Sequence, residues 1–114
     1  KIKRESEKLL KKLNNLKADN KNIIGYGAPA RVSTLTNYSN IDSSLISYII
    51  DDSHLKQNRY TPGKHIKIIP KNKANLSMVN IVIVFAYEYF RDIRKNFLSK
   101  KVKFFKPIPF SKLI

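Results

Sequence analysis

Two glycines one residue apart, Gly25 and Gly27, follow the apolar pair Ile23-Ile24 and precede Pro29 and Arg31, in a chain with only three glycines. The chemistry this composition suits is anion binding. A glycine at a strand end makes a tight turn, and a second one lets a ligand approach the backbone. A helix starting just beyond would aim free N–H groups and the positive end of its dipole at the same point, with Arg31 adding charge. The expected guest is a phosphate. The spacing G-x-G-x-x-A, with Ala30 in the third place, is the looser form of a dinucleotide fingerprint. Asp51, closing the next apolar run, stands where such folds hold a ribose hydroxyl, and an acidic residue there equally suits the capping of a turn. The stretch "SHLKQNRYTPGKH" gathers Lys56, Arg59, Lys64 and His65 around Tyr60. It reads either as a charged rim for a diphosphate or as a solvated loop pinned by Tyr60 and Pro62. Tyr26 either faces the ligand or packs across the strand end. The two histidines, His54 and His65, share one loop region with no paired base or nucleophile, and cysteine is absent. No catalytic residue, metal site or disulfide is therefore expected in this chain.

Alternating elements must position these residues. Leu9, Leu10, Leu13 and Leu16 recur at helical spacing and predict a leading helix over about 1–19. "NIIGYG" predicts a buried strand, and Val32, Leu35 and Tyr38 a helix opening at Pro29. "LISYIID" is a second strand, ending on the pair Asp51-Asp52. After the polar loop, with its Pro62-Gly63 turn, "HIKII" is a third strand stopped by Pro70. "VNIVIVFAY" reads as a strand buried on both faces. "EYFRDIRKNFLSKK" carries Phe90, Ile93 and Phe97 at helical period, and "VKFFKPIP" is a last strand closed by Pro107 and Pro109. The segment from Lys71 to Ser77 has room for a short helix. Phe85, Phe90, Phe104 and Phe105 are expected in the core. The expected architecture is α/β: a Rossmann-like three-layer sandwich, with a mainly parallel five-stranded sheet and helices on both faces, spanning 1–114 as one domain.

The 114 residues are 42% hydrophobic and 27% charged, a balance that folds rather than stays disordered. The net charge of +15 raises a basic nucleic-acid-binding domain as an alternative. The lysines are spread through helices, loops and tail, however, and no aromatic strand of the RNA-binding kind is present, so the solvated basic face is the preferred reading. "IVIVFAY", the longest apolar run, is far short of the roughly 20 residues that span a bilayer, and no membrane partner is expected. Lack of cysteine suits the cytoplasm, the expected location. Because the sequence opens at Lys1 inside a helical pattern, it is read as part of a longer protein.

Two longer segments, "GYGAPARVSTLTNYSNI" and "YIIDDSHLKQNRYTPGKHIKI", closely resemble the C-terminal domain of the S-adenosylmethionine-dependent sugar C-methyltransferases, which act on nucleotide-linked deoxysugars. The resemblance runs from the leading helix to the closing "PIP". It departs from the family pattern at Arg31 (a lysine in the family), and at Val32 and Asn58 (glycines in the family). It implies that the full-length parent binds S-adenosylmethionine on another domain, that this chain carries no cofactor, and that by itself it is inactive. The implied role is that of a substrate-binding or accessory domain, with a nucleotide-diphosphate sugar and the missing methyltransferase domain as partners. The resemblance adds Ala28 and Asn37 to Gly25, Tyr26, Gly27, Arg31, Asp51, Lys56, Arg59, Tyr60 and His65 as substrate-binding residues. The alternative from the residues alone is a stand-alone dinucleotide- or nucleotide-binding Rossmann module.

Overall fold

The structure, a computed structural model, describes residues 2–28, 30–97 and 101–107. Pro29, Pro109 and the end of the third helical pattern, 98–100, lie outside the described residues, and Arg31 is described by its backbone alone. The elements run α1 (Ile2–Ala18), β1 (Ile23–Tyr26), α2 (Ala30–Ser39), β2 (Ile49–Ile50), β3 (Arg59–Tyr60), β4 (Lys67–Ile69), β5 (Ile81–Val84), α3 (Phe90–Asn96) and β6 (Lys103–Phe105). The region after Pro70 forms two short 3₁₀ turns, Lys71–Lys73 and Leu76–Met78.

The strands form one six-stranded sheet in the order β3-β4-β2-β1-β5-β6. The ladders β1–β2, β1–β5, β2–β4 and β5–β6 are all parallel. Five strands were expected. The sixth is β3, which pairs antiparallel with β4 through Arg59 opposite Ile68 and Tyr60 opposite Lys67. It arises because Thr61 to Ile66 folds into a tight reversal. The Thr61 N–H donates to Ile66 O at 2.9 Å, and the Ile66 N–H donates to Thr61 Oγ1 at 3.0 Å. Gly63 and His65 supply positive φ angles within this reversal, 84° and 57°, and Asn58, just before β3, has φ 64°.

Strand residues alternate between two apolar layers, as a pleated sheet covered on both faces demands. Ile23, Ile49, Ile81, Ile83, Phe85 and Phe105 face the layer built from Leu9, Leu13 and Leu16 of α1 and Val32 and Leu35 of α2. Ile24, Tyr26, Ile50, Val82, Val84 and Phe104 face the layer containing Ile93 of α3 and Phe97. Tyr38, expected on the buried stripe of α2, is 57% exposed. A spacing of three drifts off a 3.6-residue period, and Thr36 and Ser39 take the buried positions instead.

Both α1 and α2 end without glycine. Asn20 (φ 61°) and Asn40 (φ 57°) adopt the left-handed conformation. Lys21 N–H donates to Leu16 O at 3.0 Å, and Ile41 N–H donates to Thr36 O at 2.8 Å. These bonds are Schellman closures, which satisfy carbonyls that a helix end leaves unpaired. Asparagine takes the glycine role here because its short polar side chain tolerates that region.

Candidate functional site

In the sheet order, β1 is flanked by β2 on one side and β5 on the other, so the chain reverses its direction of travel across the sheet at this point. A crevice opens beyond the carboxyl ends of strands at such a switch. Here it is a cleft of about 420 Å³, lined by Tyr26, Gly27 and Ala28 after β1, Asp51, Asp52 and Lys56 after β2, and Ala86, Glu88, Tyr89, Asp92 and Ile93 after β5. That volume lies within the usual range of small-molecule sites.

The two glycines serve different ends. Gly25 does not make the turn expected of it: it lies within β1, paired with Ile49 and Ile83. A Cβ there would sit 2.8 Å from Phe85 Cε2 and 3.0 Å from Ile49 Cγ1, so its missing side chain makes room for the buried Phe85 ring. Gly27 makes the turn, at φ 87°, and a Cβ on it would lie 2.6 Å from Ala86 Cβ. The close approach it permits is to the end of β5.

Asp51 organises the turn from the neighbouring strand. It is only 8% exposed. Its Oδ2 accepts from the Ala28 N–H at 2.6 Å, and its Oδ1 accepts from the Ser53 N–H at 2.8 Å. The Gly27 N–H donates to Ile50 O at 2.7 Å. Lys56 Nζ donates to Ala28 O at 2.8 Å, and Gln57 Nε2 donates to Asp51 O at 2.7 Å. The end of β2 and the loop after it are thereby tied to the glycine turn at three points. Of the two sequence readings of Asp51, the turn-capping one matches these bonds.

Tyr26 is 7% exposed and forms the floor of the cleft. Its O–H donates to Asp52 Oδ1 at 3.0 Å, and its ring meets Phe97 edge-on at 5.8 Å. It therefore both packs and faces the cleft. Burial pushes its phenol pKa well up, and the hydrogen bond to Asp52 and the charges of Asp52 and Asp51 push in the same direction.

The structure gathers Tyr26, Gly27, Ala28, Asp51 and Lys56 at the cleft, and Gly25 lies beneath it in the sheet. It does not bring Asn37, Arg59, Tyr60 or His65 to the lining. Arg59 and Tyr60 form the exposed edge strand. His65 is an exposed residue of the reversal, its N–H donating to Thr61 O at 3.0 Å. Asn37 Nδ2 donates to Pro62 O at 3.2 Å and so joins α2 to the Pro62-Gly63 turn.

The charge of the cleft reverses the basic rim expected from the loop. Asp51, Asp52, Glu88 and Asp92 line it, and among the described lining residues Lys56 is the basic one. Four of the chain's eight carboxylates thus converge on one crevice of a protein with net charge +15. Among the described residues no group of three or more potential ligands is placed to hold a metal ion, and no helix is long and apolar enough to cross a membrane. Asp52 was visible as half of an acidic pair. Glu88, Tyr89 and Asp92 had no local signal, because only the β1–β5 pairing brings them to the glycine turn.

The chain is an α/β domain with a mostly parallel sheet and a cleft at the carboxyl edge of its strands. The model of the C-methyltransferase C-terminal domain family matches residues 1–109, and the chain belongs to that family. It is also similar to "C-methyltransferase NovU" of Streptomyces niveus, with 31% identity over 100 residues. That match takes in 85% of this chain and 24% of the relative, so the chain spans about a quarter of the length of the curated protein it matches.

Proposed function

We propose that this chain is the substrate-binding, C-terminal part of an S-adenosylmethionine-dependent C-methyltransferase acting on nucleotide-linked sugars, with donor binding and methyl transfer carried out by other parts of the parent. The observation that supports a binding role most directly is the cleft itself, seated where the strand order reverses and walled by three separate strand ends. Without the antiparallel edge strand, the five parallel strands follow in the order third, second, first, fourth, fifth, which is the Rossmann-like succession. The floor offers a phenol and carboxylates, and the wall offers the apolar surfaces of Tyr89 and Ile93. These groups bind and orient.

A stand-alone dinucleotide module has less support. Its fingerprint works through free N–H groups at the glycine turn, and both Gly27 and Ala28 donate within the chain. A nucleic-acid role rests on bulk charge alone.

Titration of ¹⁵N-labelled chain with UDP-glucose tests the reading. The expected result is saturable shifts of the Tyr26, Asp52 and Tyr89 amides, with no methylated product when S-adenosylmethionine and a nucleotide-linked ketosugar are supplied. Binding confined to residues away from the cleft, or methyl transfer above a blank, would overturn it.

A further inference from the structure

We propose that Asp51 is itself the anion of the glycine turn, and that the cleft consequently takes an uncharged, hydroxyl-bearing ring and leaves a ligand's phosphates outside. This inference rests on the substrate-binding reading above and says which part of the substrate enters.

The turn has the ingredients of a phosphate seat, but the two N–H groups that directly follow β1 are spent. Gly27 N–H is held by Ile50 O at 2.7 Å, and Ala28 N–H by Asp51 Oδ2 at 2.6 Å. The following residue is Pro29, which has no N–H to give. The Asp51 carboxylate is more than nine-tenths buried and fixed at both oxygens, so it occupies the place where an incoming anion would seek its hydrogen bonds. A phosphate would have to displace it and would then meet Asp52, Glu88 and Asp92 across the same crevice. Like charges in a partly enclosed site oppose that approach more strongly than they would in open water. Lys56, the basic group described in the lining, already bonds Ala28 O at 2.8 Å.

The same groups suit hydroxyls. A carboxylate only accepts hydrogen bonds, and a sugar or ribose hydroxyl has a proton to donate. Asp52 is exposed and uses Oδ1 for the Tyr26 phenol, which orients the carboxylate towards the cleft floor. Tyr89, 61% exposed, and Ile93 give the C–H face of a ring an apolar surface to lie on. The absence of a metal-holding group among the described residues sets aside a cation cage as the purpose of the carboxylates.

The test uses the 114-residue chain in ¹⁵N-detected titrations at about 150 mM salt, where the Debye length of ~8 Å suppresses diffuse attraction to the basic surface. Three probes are compared: methyl α-glucopyranoside, uridine and inorganic pyrophosphate. Shifts of the Tyr26, Asp52 and Tyr89 amides by the glycoside or by uridine are expected, and the stronger of the two identifies the ring as sugar or ribose. Pyrophosphate is expected to leave Gly27 and Ala28 unmoved. Asp52→Asn should weaken the hydroxyl probe about tenfold or more, the scale of one hydrogen bond to a charged acceptor. Asp51→Asn should let pyrophosphate shift Gly27 and Ala28. If that variant does not fold, the wild-type and Asp52→Asn titrations decide. Saturable pyrophosphate shifts at Gly27 and Ala28 in the wild-type chain overturn this inference and leave the substrate-binding reading standing. Silence from all three probes, and from UDP-glucose, overturns both.

Discussion

Gly25 and Gly27 look alike in the sequence, yet they are needed for different physical reasons. Gly25 has ordinary strand geometry and yields its side-chain volume to Phe85, which is fully buried. Gly25→Ala should therefore act as overpacking and destabilise by roughly 1–3 kcal/mol in urea unfolding, with the m-value unchanged. Gly27→Ala adds strain at φ 87° to a clash with Ala86 and should cost at least as much. Either substitution without loss of stability would contradict the packing. Tyr26 supplies a test by pH. Its phenol pKa is raised in the fold above the ordinary 10.0, so above pH 10 the unfolded chain releases a proton that the native state retains. Stability from this group is complete below that pH and falls as pH rises towards the folded pKa. An absorbance titration should find phenols resisting ionisation, Tyr26 and the half-buried Tyr48 among them, and Tyr26→Phe should remove one of these and flatten the alkaline loss of stability. A Tyr26→Phe chain with the same alkaline decline as the parent would show that Tyr26 contributes nothing to it.

Among the elements, legibility followed the strength of the local pattern. The leucines of α1 and the run Ile81 to Val84 announce themselves, because a helix stripe and a doubly covered strand leave strong periodic or continuous apolar signals. The edge strand Arg59–Tyr60 leaves none: two exposed residues have no period, and their pairing is created by the reversal at Thr61 to Ile66. The stretch read as strand from Leu45 onward contains only two ladder residues of its own, Ile49 and Ile50. Leu45 and Ile46 are instead held by turn bonds to Asp42 O at 3.1 Å. The charge of the cleft was hidden for a related reason. Basic residues near one another in sequence were placed around the crevice, whereas the hairpin carries Arg59 and Tyr60 to the sheet edge and α3 brings Asp92 in. Helix ends offer a direct check on the asparagine closures. Asn40→Ala should cost about 1 kcal/mol, because alanine at φ 57° pays the left-handed penalty without asparagine's local polar contacts. Asn40→Gly should cost nothing or stabilise, and thermal melts of the pair will show the difference.

At the scale of the whole molecule, a strongly basic chain keeps half of its carboxylates for one crevice, while the curated relative is about four times as long as the segment matched. The opposite end of the sheet order has its own significance. An open parallel sheet has two lateral borders, each a row of backbone donors and acceptors able to recruit a strand from another molecule. Along β4 that border is covered by β3, which is two residues long and antiparallel, with an arginine at its start and the bulky, exposed Tyr60 at its end. So short a strand offers little template for further growth. The Asn58-to-His65 segment thus closes one lateral border of the parallel sheet, a structural part for the "NRYTPGKH" signature that is separate from any ligand.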